Sequence, residues 1–404
     1  MVTTGVLGGR WRATVTEWGG IEPWNTDPVL QWHIAADDRW HSPEHEPAVR
    51  QTRVEGTPVV ETRVRIPNGD AVQRVYSVPD HGGLTIIEVE NASPLAIAVA
   101  FTRGDLLSVR PASAPIEGID LPAGSIAFPV GHHATLTVAL PHSHGRPGTL
   151  PEGLAPAAGV VRGWLTIVER AGRMLLPDPA LSERVVSERC EMALGGPVPP
   201  DDDPVAFLLG VGQLVRMGEL ADPWLPDLAY GIELAVKESA RDWAFAAALE
   251  AADGVLEVAG DTRARADLQG VRDWAKTQVA LPAGEPTDPT RMIAWVEHRL
   301  AARRHDGVGG AALLPEGLPA DWVGINFEVY GVPTSAESTV SFAVRWHGER
   351  PAVLWEQSGT ALQLSSPLLA PDWSSTDTKG EALWPAPEGA PTGFEPPADG
   401  LSFS

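Results

Sequence analysis

Cysteine is almost absent. The single thiol, Cys190, leaves no partner for an intrachain disulfide and no multi-cysteine metal site in 404 residues, a pattern that fits a reducing cytosol. Cationic residues are scarce as well: 30 Lys and Arg stand against 53 Asp and Glu, a formal net charge of −23. Such a surface repels phosphate backbones and anionic lipid, so neither nucleic acid nor a membrane surface is an expected partner. Long apolar runs are missing. Nothing approaches the roughly 18 consecutive apolar residues of a membrane span. Met1 to Trp24 has no apolar core of signal-peptide length, and its basic residues Arg10 and Arg12 fall too late for a signal. The expected location is cytoplasmic.

Tyrosine is down to three residues, beside 15 tryptophans, 38 prolines and 41 glycines. That balance describes many short elements joined by turns, with large flat side chains for packing or for stacking on a ligand. At roughly 100–200 residues per domain, the length suggests two to four units.

From Val15 to Glu169 the pattern is of short strands separated by turns, as in a sandwich. Val60, Thr62, Val64 and Ile66 alternate with Glu61, Arg63 and Arg65, and Pro67-Asn68-Gly69-Asp70 follows as a hairpin signal. In the segment through Leu95, Ile97, Val99 and Phe101 the alternate positions are alanines, so both faces can be buried, as in a central strand. Ala134 to Leu140 and Val160 to Val168 continue the series, with Leu150 to Gly159 as a loop between them. The stiff, polar stretch from Gly195 to Asp203 marks a boundary.

Beyond it the period turns helical, and five helices are expected. Asp203-Pro204 opens one to about Glu219, and Asp227 caps a second to Glu238. Ser239 to Asp242 opens a third to Gly260, Asp261 or Thr262 a fourth to about Leu281, and Asp288-Pro289 a fifth to Arg304. The strand pattern resumes after Gly310, with a hairpin from Val340 to Glu356, and the tail from Ala370 reads as loosely ordered. The expected fold is multidomain α+β: a β-sandwich over 1–195, a helical bundle over 196–306 and a C-terminal β segment over 307–404.

Chemistry-bearing motifs are few. No phosphate-binding loop, nucleophile elbow or HExxH helix is present. His132-His133 and His142-x-His144 flank a strand and read as turn histidines rather than metal ligands, so no metal and no cofactor is expected. Glu250, Asp253 and Glu257 share one helical face, and they read as a solvated stripe, as do Glu233, Glu238 and Glu297. Trp243, Trp274, Trp295 and Trp346 fall at core positions. Trp18, Trp24, Trp40, Trp322 and Trp373 lie in or beside loops, with Glu17, Asp38 and Asp321 close by. Cys190 reads as a structural thiol.

The order sandwich, helices, sheet resembles the layout of the six-hairpin glycosidases, in which an (α/α) toroid sits between β domains. The phrases Val340 to Gly348 and Arg350 to Glu356 look like their closing β domain, and Val60 to Asn91 is similar to their leading sandwich. A full toroid has about a dozen helices where this chain has about five, and no carboxylate aligns with a family catalytic position. The resemblance implies a glycosidase-derived scaffold with its ring reduced. It implies a carbohydrate ligand, for which Trp18, Trp24, Trp40, Asp321 and Trp322 are the candidate contacts. The alternatives are an active hydrolase using two carboxylates near the helices and a protein-interaction scaffold. Catalytic residues and oligomeric state are left unassigned.

Overall fold

The computed structural model describes residues 1–113, 116–143, 148–275, 280–304 and 310–387. The chain is multidomain α+β. It divides into two compact units, Met1–Thr166 with Cys190–Gly195, and Ile167–Arg189 with Gly196–Ser404. Among the described residues no helix is long and apolar enough to cross a membrane.

The first unit is an antiparallel sandwich. One sheet runs Leu107–Ser108, Thr135–Pro141, Leu84–Asn91, Gly69–Val78, Val60–Ile66, Val49–Arg53, and the other Ile126–Val130, Ile97–Phe101, Trp32–Ala35, Trp40–His41. Their apolar faces meet in one core, with Val60, Val64 and Ile87 from the first sheet and Trp32, Val99 and Phe101 from the second. The Val60–Ile66 alternation buries one face, and Ile97–Phe101 takes the internal position that its two-sided burial predicts. In the hairpin Ile66 pairs with Gly69. Only Asn68 is left-handed there, at φ 63°. Gly69 serves a different end: a Cβ on it would lie 2.5 Å from the carbonyl oxygen of Ala92.

Two segments expected in the sandwich are helices instead. α1, Ala157–Val168, replaces the strand expected at Val160 to Val168. Its β-branched residues suggest a strand, but the buried positions Val161, Trp164 and Val168 follow the helical period. α2 is Pro179–Gly195. The Asp178 carboxylate accepts from the Leu181 amide at 3.0 Å and caps it.

The second unit carries five further helices among the described residues: α3 Pro204–Met217, α4 Leu225–Glu238, α5 Trp243–Ala259, α6 Thr262–Ala275 and α7 Pro289–Leu300. Asp203 and Asp288 cap α3 and α7 as expected, whereas α5 is capped by Asp242 itself, the expected opener Ser239 instead ending α4. Asp227 lies in the first turn of α4 rather than at its cap. α7 stops earlier than predicted, because Ala301 turns extended (φ −151°) and Ala301–Arg303 becomes a strand paired with Ala311–Leu313. That pair extends through Leu364–Ser366 to Ala370–Ser375. A second sheet orders Arg173–Leu175, Phe327–Ser335, Ser338–His347, Arg350–Gly359 and Lys379–Leu383. The expectation of a loose tail fails for Ala370–Ser375 and Lys379–Leu383, which are strands. Their order follows from tryptophan packing: Trp373 lies between Trp355 and Trp384, each at 5.2 Å.

One buried carboxylate ties α2, α3 and α7 together. Glu297 of α7 accepts from Arg189 of α2 at 2.9 Å, from Arg216 of α3 at 2.8 Å and from Gln213 at 3.2 Å. Arg189 also donates to the carbonyls of Ala171 and Gly172, at the end of α1's trailing turn Glu169–Ala171, where a cation suits exposed helix carbonyls. Removing Arg189 leaves Glu297 with Arg216 and Gln213 but takes the donor from two other buried acceptors, the Gly172 carbonyl and the Gln213 amide oxygen, at about 1–3 kcal/mol each or about 2–6 kcal/mol together. Arg189→Ala is therefore expected to lower the urea-unfolding free energy of the second unit by about that amount. Arg63→Ala, which removes a half-exposed arginine and leaves Glu61 still paired with Arg74, should cost under about 1 kcal/mol. Equal losses would show that burial does not set the value.

Candidate functional site

α3 and α5 pack unusually closely. A Cβ on Gly212 would stand 2.8 Å from the Cβ of Ala251. Along the same face of α5 come Ala247, Ala251 and Gly254, at i, i+4 and i+7, so no side chain there is long enough to fill the space beyond. The result is a cavity of about 190 Å³, walled by these residues and by Val255 and Val258. Polar groups enter from four elements: Gln213 and Arg216 of α3, Glu250 of α5, Glu297 and His298 of α7, and Thr334 and Ser335 of the strand Phe327–Ser335. Arg303 completes the wall. Among the described residues no tryptophan, tyrosine or phenylalanine lines it.

Glu297 is held ionised. Burial opposes its charge, but Arg216 and Arg189 and the hydrogen bonds from Arg216 and Gln213 outweigh that and lower its pKa. It has no proton to give at neutral pH. One residue on, His298 places Nδ1 2.9 Å from the carbonyl oxygen of Ala294 and Nε2 3.4 Å from the carboxylate of Glu250. A carbonyl only accepts, so Nδ1 carries a proton. Nε2 then faces an anion, which favours a second proton. Burial works against the imidazolium, yet the contact with Glu250 and the Ala294 carbonyl prevail, and the pKa of His298 is raised.

A second hollow of about 380 Å³ adjoins the first, sharing Arg303, Ser335 and Ala336 and reaching Gln269, Arg272 and Glu337. Its base is an ion network. Asp253, only 6% exposed, accepts from Arg265 at 2.8 Å and from Arg272 at 2.9 Å, and Arg265 also pairs with Glu337 and Glu257. The Asp253 hydrogen bond leads the causes that raise the Arg265 pKa. The expected solvated stripe is thus corrected: Glu250 and Asp253 are paired inward, and Glu257 is drawn into the same network. Glu297 is also buried, at 5% exposed, while Glu233 and Glu238 do face solvent.

The candidates from the sequence lie elsewhere. Trp322 is 8% exposed and packs edge-on against Phe327, with Asp321 beside it exposed. Trp24 is 55% exposed, its indole donating to Thr14. Trp40 donates to the carbonyl of Glu117. Trp18 lines a hollow of only about 80 Å³ in the sandwich, with Trp32, His33 and Ser42. There the His33 Nδ1 lies 3.0 Å from the Ser42 hydroxyl, and burial followed by His45 lowers the His33 pKa against Glu44. Trp243, Trp295 and Trp346 are buried as expected, but Trp274 is 55% exposed under the guanidinium of Arg241. His142 stacks on Trp11 and meets the Thr85 hydroxyl, and burial with Arg12 pushes its pKa down to about 4; His144 lies outside the described residues. Among the described residues no three His, Cys, Asp or Glu side chains are grouped to hold a metal. Cys190 is fully buried.

Sequence reasoning passed over Arg189, Gln213, Arg216, His298 and Arg303. One signal was present: Gln213 and Arg216 are the only polar side chains of α3 and stand three apart, hence on one face. No family model and no curated protein matches the sequence.

A histidine whose folded pKa lies above its unfolded value stabilises the fold fully below the unfolded pKa, about 6.5, and loses that contribution as pH rises through the folded value. Urea unfolding of the wild type is accordingly expected to weaken relative to His298→Gln as pH rises from about 6 to about 9. A constant difference between the two across that range would contradict the Glu250–His298 pairing.

Proposed function

We propose that the chain is a small-molecule-binding protein whose ligand occupies the cavity between α3, α5 and α7 and is a compact, mainly apolar monoanion. The observation that carries this reading is Arg303. Arg216 is paired with Glu297, and His298 with Glu250. Arg303 alone on that wall has no ion-pair partner among the described residues, and it sits where the apolar cavity meets the polar hollow. A cation at the edge of a low-dielectric space gains most from an anion. The volume limits the rest of the molecule. A dry cavity of about 150 Å³ accommodates benzene, so the cavity here suits a body of benzoate or 4-methylpentanoate size.

A carbohydrate is the second reading. Gln213, Glu250, Thr334 and Ser335 on the cavity wall supply donors and acceptors for hydroxyls. The wall lacks the flat indole face on which a sugar's C–H groups stack, so this reading ranks behind the first. A glycosidase ancestry for the scaffold is compatible with either. A hydrolytic role would need a carboxyl group with a proton to donate, and Glu297 is not that group.

Calorimetric titration decides between the readings with benzoate, benzamide, glucose and trehalose. Benzoate is expected to bind, with Arg303→Gln weakening it about 10- to 100-fold, the loss of one or two charge-assisted hydrogen bonds at about 1.5–3 kcal/mol, and benzamide unaffected by the substitution. Equal binding of benzoate and benzamide to the wild type would remove the anion from the reading, and binding of the sugars alone would favour the second. Gly254→Leu supplies an independent check. A Cβ at Gly254 meets nothing within 4 Å, so leucine can enter the cavity from an unstrained helical position. Binding should disappear while stability rises by about 0.5–1 kcal/mol from helix propensity. Retained binding would place the ligand elsewhere.

A further inference from the structure

We propose that this site takes up its anion together with a proton, and that His298 is the residue that binds the proton as the ligand enters. The inference rests on the cavity being the ligand site. Glu250 and His298 both lie on the cavity wall, and their contact spans α5 and α7 at 3.4 Å. With His298 neutral, the wall is one positive charge poorer toward an incoming carboxylate. With His298 protonated on both ring nitrogens, the imidazolium offsets the charge of Glu250 and acts in the same sense as Arg303. The other groups around the imidazole do not alter this balance. Glu297, its neighbour on α7, is bound by Arg216 of α3 and Arg189 of α2, and that group keeps a fixed charge, because arginine does not lose its proton. From α5, besides Glu250, the uncharged ring of Trp243 packs against it, edge-on at 6.4 Å. The step makes one N–H bond at Nε2, its proton comes from solvent, and the ligand remains a carboxylate throughout.

Binding linked to protonation in this way must weaken with rising pH once the free protein has lost the proton, by up to about tenfold per pH unit for one proton. The test is calorimetric titration of the full chain with benzoate from about pH 6 to about pH 9, in paired buffers of different ionisation heat that report the protons taken up. Uptake is expected to approach one proton per ligand on the alkaline side. His298→Gln should bind with a flat pH profile and no uptake. Glu250→Gln should move the alkaline fall to lower pH, because His298 has lost the anion that holds its proton. Wild-type binding with no uptake and no pH dependence overturns the proton coupling and leaves the ligand reading intact. Uptake that persists in His298→Gln overturns the assignment to that residue, and absence of benzoate binding at every pH overturns both.

Discussion

The carboxylate of Glu297 is the point on which the second unit is organised. Burying one carboxylate costs several kcal/mol unless its lone pairs are met with good geometry, and here two guanidiniums and an amide meet them. The same requirement fixes Arg189, which distributes its donors among Glu297, Gln213 and the carbonyls that end the turn after α1. α2, α3 and α7 are thereby held at one distance and one rotation. Because successive residues on a helix differ by about 100°, locking Glu297 toward Arg189 and Arg216 also fixes where the next side chain points. His298 reaches Glu250 on α5 as a consequence.

A void beside an apolar face persists only if its walls cannot move inward, since deleted side-chain volume is otherwise partly recovered by relaxation. Two ion networks restrain α5 here. Glu250 joins it to α7 through His298, and Asp253, three residues on, joins it to α6 through Arg265 and Arg272. Beside those anchors the helix offers Ala251, whose small size permits the close approach to Gly212, and Gly254, which leaves the space beyond unfilled. The cavity thus arises from close packing at one point and short side chains next to it, with charge holding both in place.

Much of the fold was legible because it rests on local rules. The alternation at Val60–Ile66, the alanine-backed strand Ile97–Phe101 and the Asp-Pro starts of α3 and α7 each announce themselves within a few residues. The same Asp-Pro signal stands at Asp178-Pro179 and opens α2, but there a polar stretch follows it, and no apolar stripe reinforces it. α1 was missed for the opposite reason, its valines and isoleucine having strand propensity that helical burial overrides. The site was far less legible. Whether an acid is solvated or clamped depends on cations distant in sequence, and Arg189 lies 108 positions from Glu297. Trp322 shows the same limit: it looks available from its neighbours in sequence and is covered by a tertiary contact with Phe327, whereas Trp24 is exposed.

The acids of the helical unit bear on chemistry through their protons rather than their number. A hydrolase built on two carboxylates needs one that is protonated and one that is not, with environments that push their pKa values apart. On the cavity wall the asymmetry takes another form. Glu297 is kept ionised by arginines, which cannot surrender their protons, whereas Glu250 faces an imidazole, which can. The proton that this wall can exchange therefore resides on His298, whose pKa, against burial, is raised by Glu250. A group placed so changes the charge seen by a ligand without donating to a scissile bond, and in the proposed site Arg303, which has no ion-pair partner among the described residues, would convert that change into affinity for an anion. Recognition coupled to protonation follows from this arrangement more directly than bond cleavage does.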